Sequence, residues 1–264
     1  MTTEQFYLVT AYVLAGLVGL CVGSFLNVVI YRVPLHMNIA KPASHCPNCN
    51  APIRKRDNIP VISYLVLRGK CRDCKAPISP RYTFVELGNM ILWLACVWRF
   101  WETAPLYALL SMAVCSLLIC VFFIDLEHMI VMDRFQIALG VIGILSVFCD
   151  PSPYGGWAWH LAGGAAGLLL FWLIAWAAEK ILGKEALGGG DIKLAAVMGL
   201  FLGLPKLILA VLVASVAASI IMLIAKKHSE EKEFPFAPFL SAGFALATLF
   251  GDSMIQWYFS LLFS

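Results

Sequence analysis

Charged residues are scarce in this sequence. Asp, Glu, Lys and Arg make up 13% of its 264 residues, whereas hydrophobic residues make up 61% and the mean hydropathy is +0.84. A soluble domain does not need so much apolar material. The composition therefore excludes an ordinary water-soluble globular protein and predicts a chain that crosses a membrane several times.

The N-terminus lacks the features of a cleaved export signal. Residues 1–5 contain Glu4 but no Lys or Arg, and the apolar run from Phe6 to Tyr31 is longer than the hydrophobic region of a signal peptide. We therefore expect this run to remain as the first membrane span.

The apolar stretches predict an all-α fold class, a polytopic membrane protein with eight transmembrane helices. Helices are required because an open strand in lipid leaves its backbone polar groups unpaired. Small residues four positions apart predict close helix packing, and no internal repeat stands out. The predicted spans cover residues 6–31, 84–101, 105–124, 135–149, 160–178, 192–204, 207–225 and 238–262, and the small pairs are Gly19 with Gly23, Gly163 with Gly167 and Gly199 with Gly203.

Basic residues are nearly absent from every second connection between these spans. The connections at 32–83, 125–134, 179–193 and 226–233 hold 17 of the 19 Lys and Arg residues, which leaves only Arg99 and Lys206 for the other side. Because basic loops stay in the cytoplasm, these four connections are expected to be cytoplasmic and both termini periplasmic. The turn from Asp150 to Trp159 on the other side is expected to be structural.

Residues 34–83 form a Pro-rich basic loop that is too long for a simple connection and too short to bury a core unaided. It contains two Cys-x-x-Cys pairs, Cys46 with Cys49 and Cys71 with Cys74. This pattern is typical of a structural four-thiolate zinc site, and in a reducing compartment the cysteines are available as thiols. Redox-active dithiols and unliganded cysteines are the alternatives.

Two acidic residues lie where apolar segments meet polar ones. Asp191 follows Gly188, Gly189 and Gly190, which lack Cβ atoms and permit close approach of a substrate backbone, and Asp125 follows the third predicted span. The predicted topology puts both at the cytoplasmic edge of the bilayer, where an ionisable group indicates a functional site. Two carboxylates that share one proton provide a general base and a general acid for peptide hydrolysis.

Other residues compete for these roles. Glu127, His128 and Asp133 lie within two helical turns of Asp125, although such positions are more often helix ends. A proton- or cation-coupled transporter also uses intramembrane acids, and a non-enzymatic assembly scaffold that docks through the long loop is a further alternative.

Several motifs across about three quarters of the chain occur together: Gly23–Pro34, the two Cys pairs, Asp57–Tyr64, Arg68–Cys71, Tyr82–Glu86, Ile124–Asp125 and Leu187–Leu194. In these motifs the chain resembles the bacterial type IV prepilin peptidases, a family of membrane aspartic proteases that also act as N-methyltransferases. Two departures occur: Met132 stands where the family usually has Pro, and Ala237 stands where it usually has Gly.

This resemblance implies that Asp125 and Asp191 are the catalytic pair. It implies removal of a short basic leader from prepilins or pseudopilins in the inner membrane, then methylation of the new N-terminal amine from S-adenosylmethionine. Partners would be these substrates, membrane lipid and the pilus or type II secretion assembly machinery, with no nucleic acid. The implied domains are a first helix at 1–33, a zinc-binding loop at 34–83 linked to methyl transfer, and a peptidase domain at 84–264.

The sequence contains no glycine-rich dinucleotide motif, so S-adenosylmethionine binding depends on the resemblance alone. Glu86 is the candidate for a methyl-transfer role, because it lies where the loop re-enters the membrane. The alternative is an acid at a helix N-terminus that the helix dipole stabilises.

Overall fold

Helices form nearly all the regular structure of the protein. The computed structural model describes residues 2–153, 155–183, 187–226 and 235–262, and these contain no β-strand, only two isolated bridges. The helices are α1 (Thr3–Arg32), α2 (Ile62–Val66), α3 (Arg81–Phe100), α4 (Pro105–His128), α5 (Asp133–Ser146), α6 (Trp157–Leu182), α7 (Gly189–Leu202), α8 (Leu204–Lys226) and α9 (Ala237–Leu262). The all-α prediction is confirmed.

The helix ends follow local chemistry. Thr2 and Gln5 form a reciprocal capping box at the start of α1, where each side chain accepts a hydrogen bond from the other residue's backbone N–H. Pro105 opens α4, where a missing N–H costs nothing. Gly183, at φ +65°, ends α6 in the left-handed conformation that glycine adopts without strain.

Six of the eight predicted spans are long and apolar enough to cross a membrane: α1, α3, α4, α6, α8 and α9. The other two predicted spans are the 14-residue helices α5 and α7. A helix of that length rises about 21 Å, less than the roughly 30 Å of a bilayer core. The predicted ends differ from the observed ones by at most four residues, as at His128 rather than 124. The 226–233 connection lies outside the described residues except for Lys226.

The chain divides into two compact units, Met1–Glu102 and Thr103–Ser264. In the first unit α1 packs on α3, and a Cβ on Gly23 would lie 2.7 Å from the Cα of Glu86. In the second unit, Gly163 of α6 packs directly on Gly199 of α7, and Gly167 packs on Ala195. The small pairs therefore act as packing faces, as predicted.

A buried polar cluster lies near the C-terminal end of α7, whereas Asp191 lies in its first turn. Lys206 Nζ is 3.2 Å from Asp150 Oδ2 and 3.9 Å from Asp252 Oδ2, and the Lys206 side chain is only 1% exposed. His160 Nε2 lies 3.4 Å from the same Asp150 oxygen. The Asp150 turn was predicted to be structural, and these contacts tie it to α6, α8 and α9.

Candidate active site and metal centre

Asp125 lies in the last turn of α4, which continues through this residue to His128. The residue is only 5% exposed, and its carboxylate accepts a hydrogen bond from the backbone N–H of Ala237 at the start of α9. Among the described residues, nothing bonds to its second oxygen, Oδ2. Asp125 therefore presents one anchored and one uncommitted carboxylate oxygen.

Asp191 lies in the first turn of α7, after the N-cap residue Gly188. Its carboxylate is partly buried and close enough to Asp125 for the two like charges to repel each other. The structure thus brings together two acids that are 66 positions apart in the sequence. This arrangement suits a pair that shares a proton.

The start of α5 contacts the start of α7 on both sides of Asp191. Gln136 Nε2 donates a 2.9 Å hydrogen bond to the carbonyl oxygen of Gly190, and Lys193 Nζ forms a 2.7 Å ion pair with Asp133. Gln136 is 4% exposed, and within the described part of the chain its Oε1 has no partner. Sequence reasoning missed Gln136; the available signal was an amide side chain at the start of the predicted span 135–149.

The three glycines before Asp191 occupy different surroundings. A Cβ on Gly190 would lie 2.8 Å from the Cβ of Val131, so this position requires glycine for packing. In the described part of the chain, a Cβ on Gly189 would meet no atom within 4 Å, and one on Gly188 would meet only the Asp191 carboxylate at 3.8 Å. Gly188 and Gly189 therefore border open space, and their substrate-binding role remains a prediction.

The competing residues lie outside the buried pair. Asp133 is occupied by Lys193, and its side chain is 67% exposed. Glu127 and His128 are exposed in the last turn of α4. Of the two departures from the family pattern, Met132 serves as the N-cap residue of α5, and Ala237 supplies the N–H that binds Asp125.

The four predicted metal-binding cysteines form one cluster. The sulfur atoms of Cys46, Cys49, Cys71 and Cys74 all lie within 4.8 Å of one another, and the Sγ atoms of Cys46 and Cys74 are 3.8 Å apart. A tetrahedral zinc ion with Zn–S bonds of about 2.3 Å requires sulfur–sulfur distances of about 3.8 Å. The four cysteines thus fit a closed metal site.

Each Cys pair lies in the same kind of turn. Cys46 N–H donates to Ala51 and Cys71 N–H donates to Ala76, next to the bridges His45–Pro52 and Lys70–Pro77. The backbone N–H of Ala76 and the amide of Asn48 lower the pKa of Cys74 to about 6, which favours the thiolate that binds metal. The expectation of no internal repeat was wrong, because the pattern Cys-x-x-Cys-x-Ala-Pro-Ile occurs at 46–53 and again at 71–78.

A cavity of about 470 Å³ adjoins this cluster within the first unit. Its wall combines the end of α1, the cysteine turns and the start of α3, and it includes Asn27, Asp57 and Glu86. Glu86 lies in the second turn of α3 and is 8% exposed, and its Oε2 accepts a 2.7 Å hydrogen bond from Val61 N–H. The alternative role as a first-turn acid does not apply, because α3 has no acidic residue in its first turn.

Comparisons with known proteins agree with this geometry. Residues 17–100 match the bacterial peptidase A24 N-terminal domain, and residues 112–223 match the type IV leader peptidase family. A prepilin leader peptidase/N-methyltransferase of Aeromonas hydrophila is 34% identical over 93% of this chain and 92% of its own length. The chain belongs to the type IV leader peptidase family.

Further members of this family are similar over most of the chain. A prepilin leader peptidase/N-methyltransferase of Myxococcus xanthus is 42% identical over 77% of this chain and 59% of its own length. An Escherichia coli protein named as a type 4 prepilin-like protein leader peptide-processing enzyme is 36% identical over 90% of this chain and 93% of its own length. No solved structure matches the chain.

Proposed function

We propose that this chain is an aspartic endopeptidase that removes the leader peptide from type IV prepilins or pseudopilins, and that it then methylates the new N-terminal amine. The peptidase proposal depends on one observation: Asp125, in the last turn of α4, and Asp191, in the first turn of α7, lie close enough for their charges to repel each other. The names of its relatives support both activities.

The proposed hydrolysis divides the work between the two carboxyl groups. The ionised member takes a proton from a water molecule, whose oxygen attacks the scissile carbonyl carbon, while the protonated member gives its proton to the carbonyl oxygen. Collapse of the resulting diol breaks the C–N bond, and the departing amine takes up a proton. The buried, uncommitted Oδ2 of Asp125 is suited to carry the proton that the pair shares.

For methyl transfer, we propose S-adenosylmethionine as the donor of an electrophilic methyl group. The neutral N-terminal amine of the cleaved pilin forms the new C–N bond as the C–S bond breaks. The amine then loses a proton, and S-adenosylhomocysteine is left. A structural zinc ion held by Cys46, Cys49, Cys71 and Cys74 would fix the loop at 34–83, since a closed four-thiolate site has no open position for catalysis.

The proposed location is the bacterial inner membrane, with both termini in the periplasm and the 34–83 loop in the cytoplasm. The distribution of Lys and Arg supports this orientation. Asp125 and Asp191 then lie at the cytoplasmic face, where the leader of a prepilin joins its apolar helix. The pilus or type II secretion machinery is the proposed consumer of the product.

The test is incubation of the detergent-purified protein with a prepilin, with and without S-adenosylmethionine, followed by mass spectrometry. We expect loss of the leader under both conditions and an added methyl group only with the donor. A transporter or a scaffold would leave the prepilin intact. An intact prepilin would therefore overturn the proposal.

A further inference from the structure

We propose that the cavity of the first unit binds S-adenosylmethionine, with Glu86 paired to the α-ammonium group of the donor's methionine moiety. This inference rests on the proposed methyl transfer and adds a location and a recognition mode. The cavity volume, about 470 Å³, lies in the range of small-molecule sites.

Three acids line the cavity wall, Asp57, Asp73 and Glu86, and the first two are each paired with an arginine. Asp73 Oδ1 lies 2.9 Å from Arg54 Nη2. Asp57 is committed to Arg72, which donates to both of its carboxylate oxygens at 2.6 and 2.8 Å. These hydrogen bonds lower the pKa of Asp57 and keep it ionised. Asp57 is therefore a neutralised part of the wall rather than a receptor for a second cation.

Glu86, by contrast, has no basic partner among the described residues, although it is 8% exposed. Within the described structure its carboxylate accepts one hydrogen bond, from the N–H of Val61, a β-branched residue held at φ +60°. Such a conformation is costly for valine and persists where the surrounding structure requires it. A buried carboxylate without a countercharge is itself unfavourable, so a cationic ligand would stabilise the site.

The rest of the wall suits the remaining parts of the donor. The amide nitrogen of Asn27 donates to Gly23 O and Tyr82 O, which leaves its Oδ1 buried without a partner in the described structure. That oxygen can accept a hydrogen bond from an amino or hydroxyl group of adenosine. Tyr31 and Tyr64 also line the cavity and provide apolar surface for a base.

The test uses isothermal titration calorimetry on the zinc-loaded full chain with three probes: S-adenosylmethionine, S-adenosylhomocysteine and adenosine. We expect Glu86→Gln to weaken the first two by about tenfold or more, because both carry the ammonium group, and to leave adenosine binding unchanged. Glu102→Gln is the matched control, an exposed acid of the same unit outside the cavity wall, and it should change none of the three.

A second variant tests the location. Ser24→Trp places a large side chain in the cavity wall and should abolish binding of all three probes, while zinc content and leader cleavage report that the protein is folded. If both variants bind S-adenosylmethionine as tightly as the wild type, the proposed site is wrong. The proposed methyltransferase activity is not affected by that result. Absence of both binding and methylation in the wild type would overturn the proposed function itself. A Glu86→Gln variant that binds the donor normally but loses affinity for a cleaved-pilin peptide would assign Glu86 to the acceptor amine and contradict the inference.

Discussion

Gln136 donates a hydrogen bond from its Nε2 to the carbonyl oxygen of Gly190, at 2.9 Å. This contact joins the start of α5 to the residue immediately before Asp191. It therefore fixes the position of one proposed catalytic carboxylate relative to an element that carries neither acid. Small displacements of a reacting group are costly in catalysis, so the contact should affect rate more than stability.

We predict that Gln136→Met lowers kcat for leader cleavage by roughly tenfold or more, with little change in KM, because Met fills the space without donating a hydrogen bond. Steady-state cleavage of a prepilin measures both constants. The zinc content of the protein should be unchanged, and so should its methylation of a pre-cleaved pilin peptide by S-adenosylmethionine. Unaltered kcat would show that the contact does not position Asp191.

The glycines before Asp191 give a prediction with an internal control. Gly190→Ala should impair cleavage because its methyl group would overlap the Cβ of Val131, and Val131→Gly in the same chain should restore much of the activity. Cleavage rates of the two single variants and the double variant form the required cycle. A double variant no better than Gly190→Ala would mean that the overlap is not the cause.

Gly189→Ala separates packing from substrate contact. No atom of the described residues lies within 4 Å of the added methyl group, so the thermal stability of the protein should not change. If substrate backbone passes this position, as proposed, KM for the prepilin should rise. An unchanged KM in this variant would mean that these glycines serve packing and do not contact the substrate.

The metal prediction concerns the first unit. The purified protein should contain one zinc ion per chain, and Cys46→Ser should lose it and impair methylation. Cys21→Ser is the control, because Cys21 is an exposed residue of α1 outside the cluster. Elemental analysis measures the metal directly, and a Cys46→Ser variant that retains full zinc occupancy would refute the proposed ligand set.

Two Lys–Asp pairs in the second unit differ mainly in burial, and they should differ in energy. The side chains of Lys206 and Asp150 are each 1% exposed, whereas those of Lys193 and Asp133 are 57% and 67% exposed. Lys206→Met should lower the free energy of unfolding by about 3–5 kcal/mol, because it leaves Asp150 buried without that cation. Lys193→Met should change it by about 0–1 kcal/mol.

Denaturant unfolding in mixed micelles measures both changes, and equal losses would contradict the assignment.

The pH dependence of the contribution of Asp150 to stability has a defined sign. Burial acts to raise the pKa of Asp150, but His160 and Lys206 outweigh it and leave the pKa below its usual range. The contribution of Asp150 is thus present above the unfolded pKa of about 3.9 and is lost as pH falls through the folded pKa.

Much of this architecture follows from the sequence because it depends on local patterns. Long apolar runs identified the spanning helices, and Cys spacing identified the cluster that the structure forms. The span count was less certain, because the apolar stretches at α5 and α7 do not reveal how short those helices are. Local patterns also placed Asp125 and Asp191 at span ends, but did not show that the two lie close together.

The contacts around the site were not predictable in the same way. Ala237 binds Asp125 from 112 positions away, and Lys206 meets Asp150 across 56 positions. Such pairings are set by tertiary packing, which a single sequence does not reveal. The Ala237 contact appeared in the sequence only as a departure from a family pattern, with no indication that it touches the carboxylate.

The central claim is tested most directly by single-turnover leader cleavage in Asp125→Asn, Asp191→Asn and the control Asp133→Asn. Methylation of a pre-cleaved pilin peptide verifies that each variant is folded. We predict that the first two lose cleavage by roughly a thousandfold or more while the control remains within a few-fold of wild type. Wild-type cleavage by either Asp125→Asn or Asp191→Asn would contradict the account.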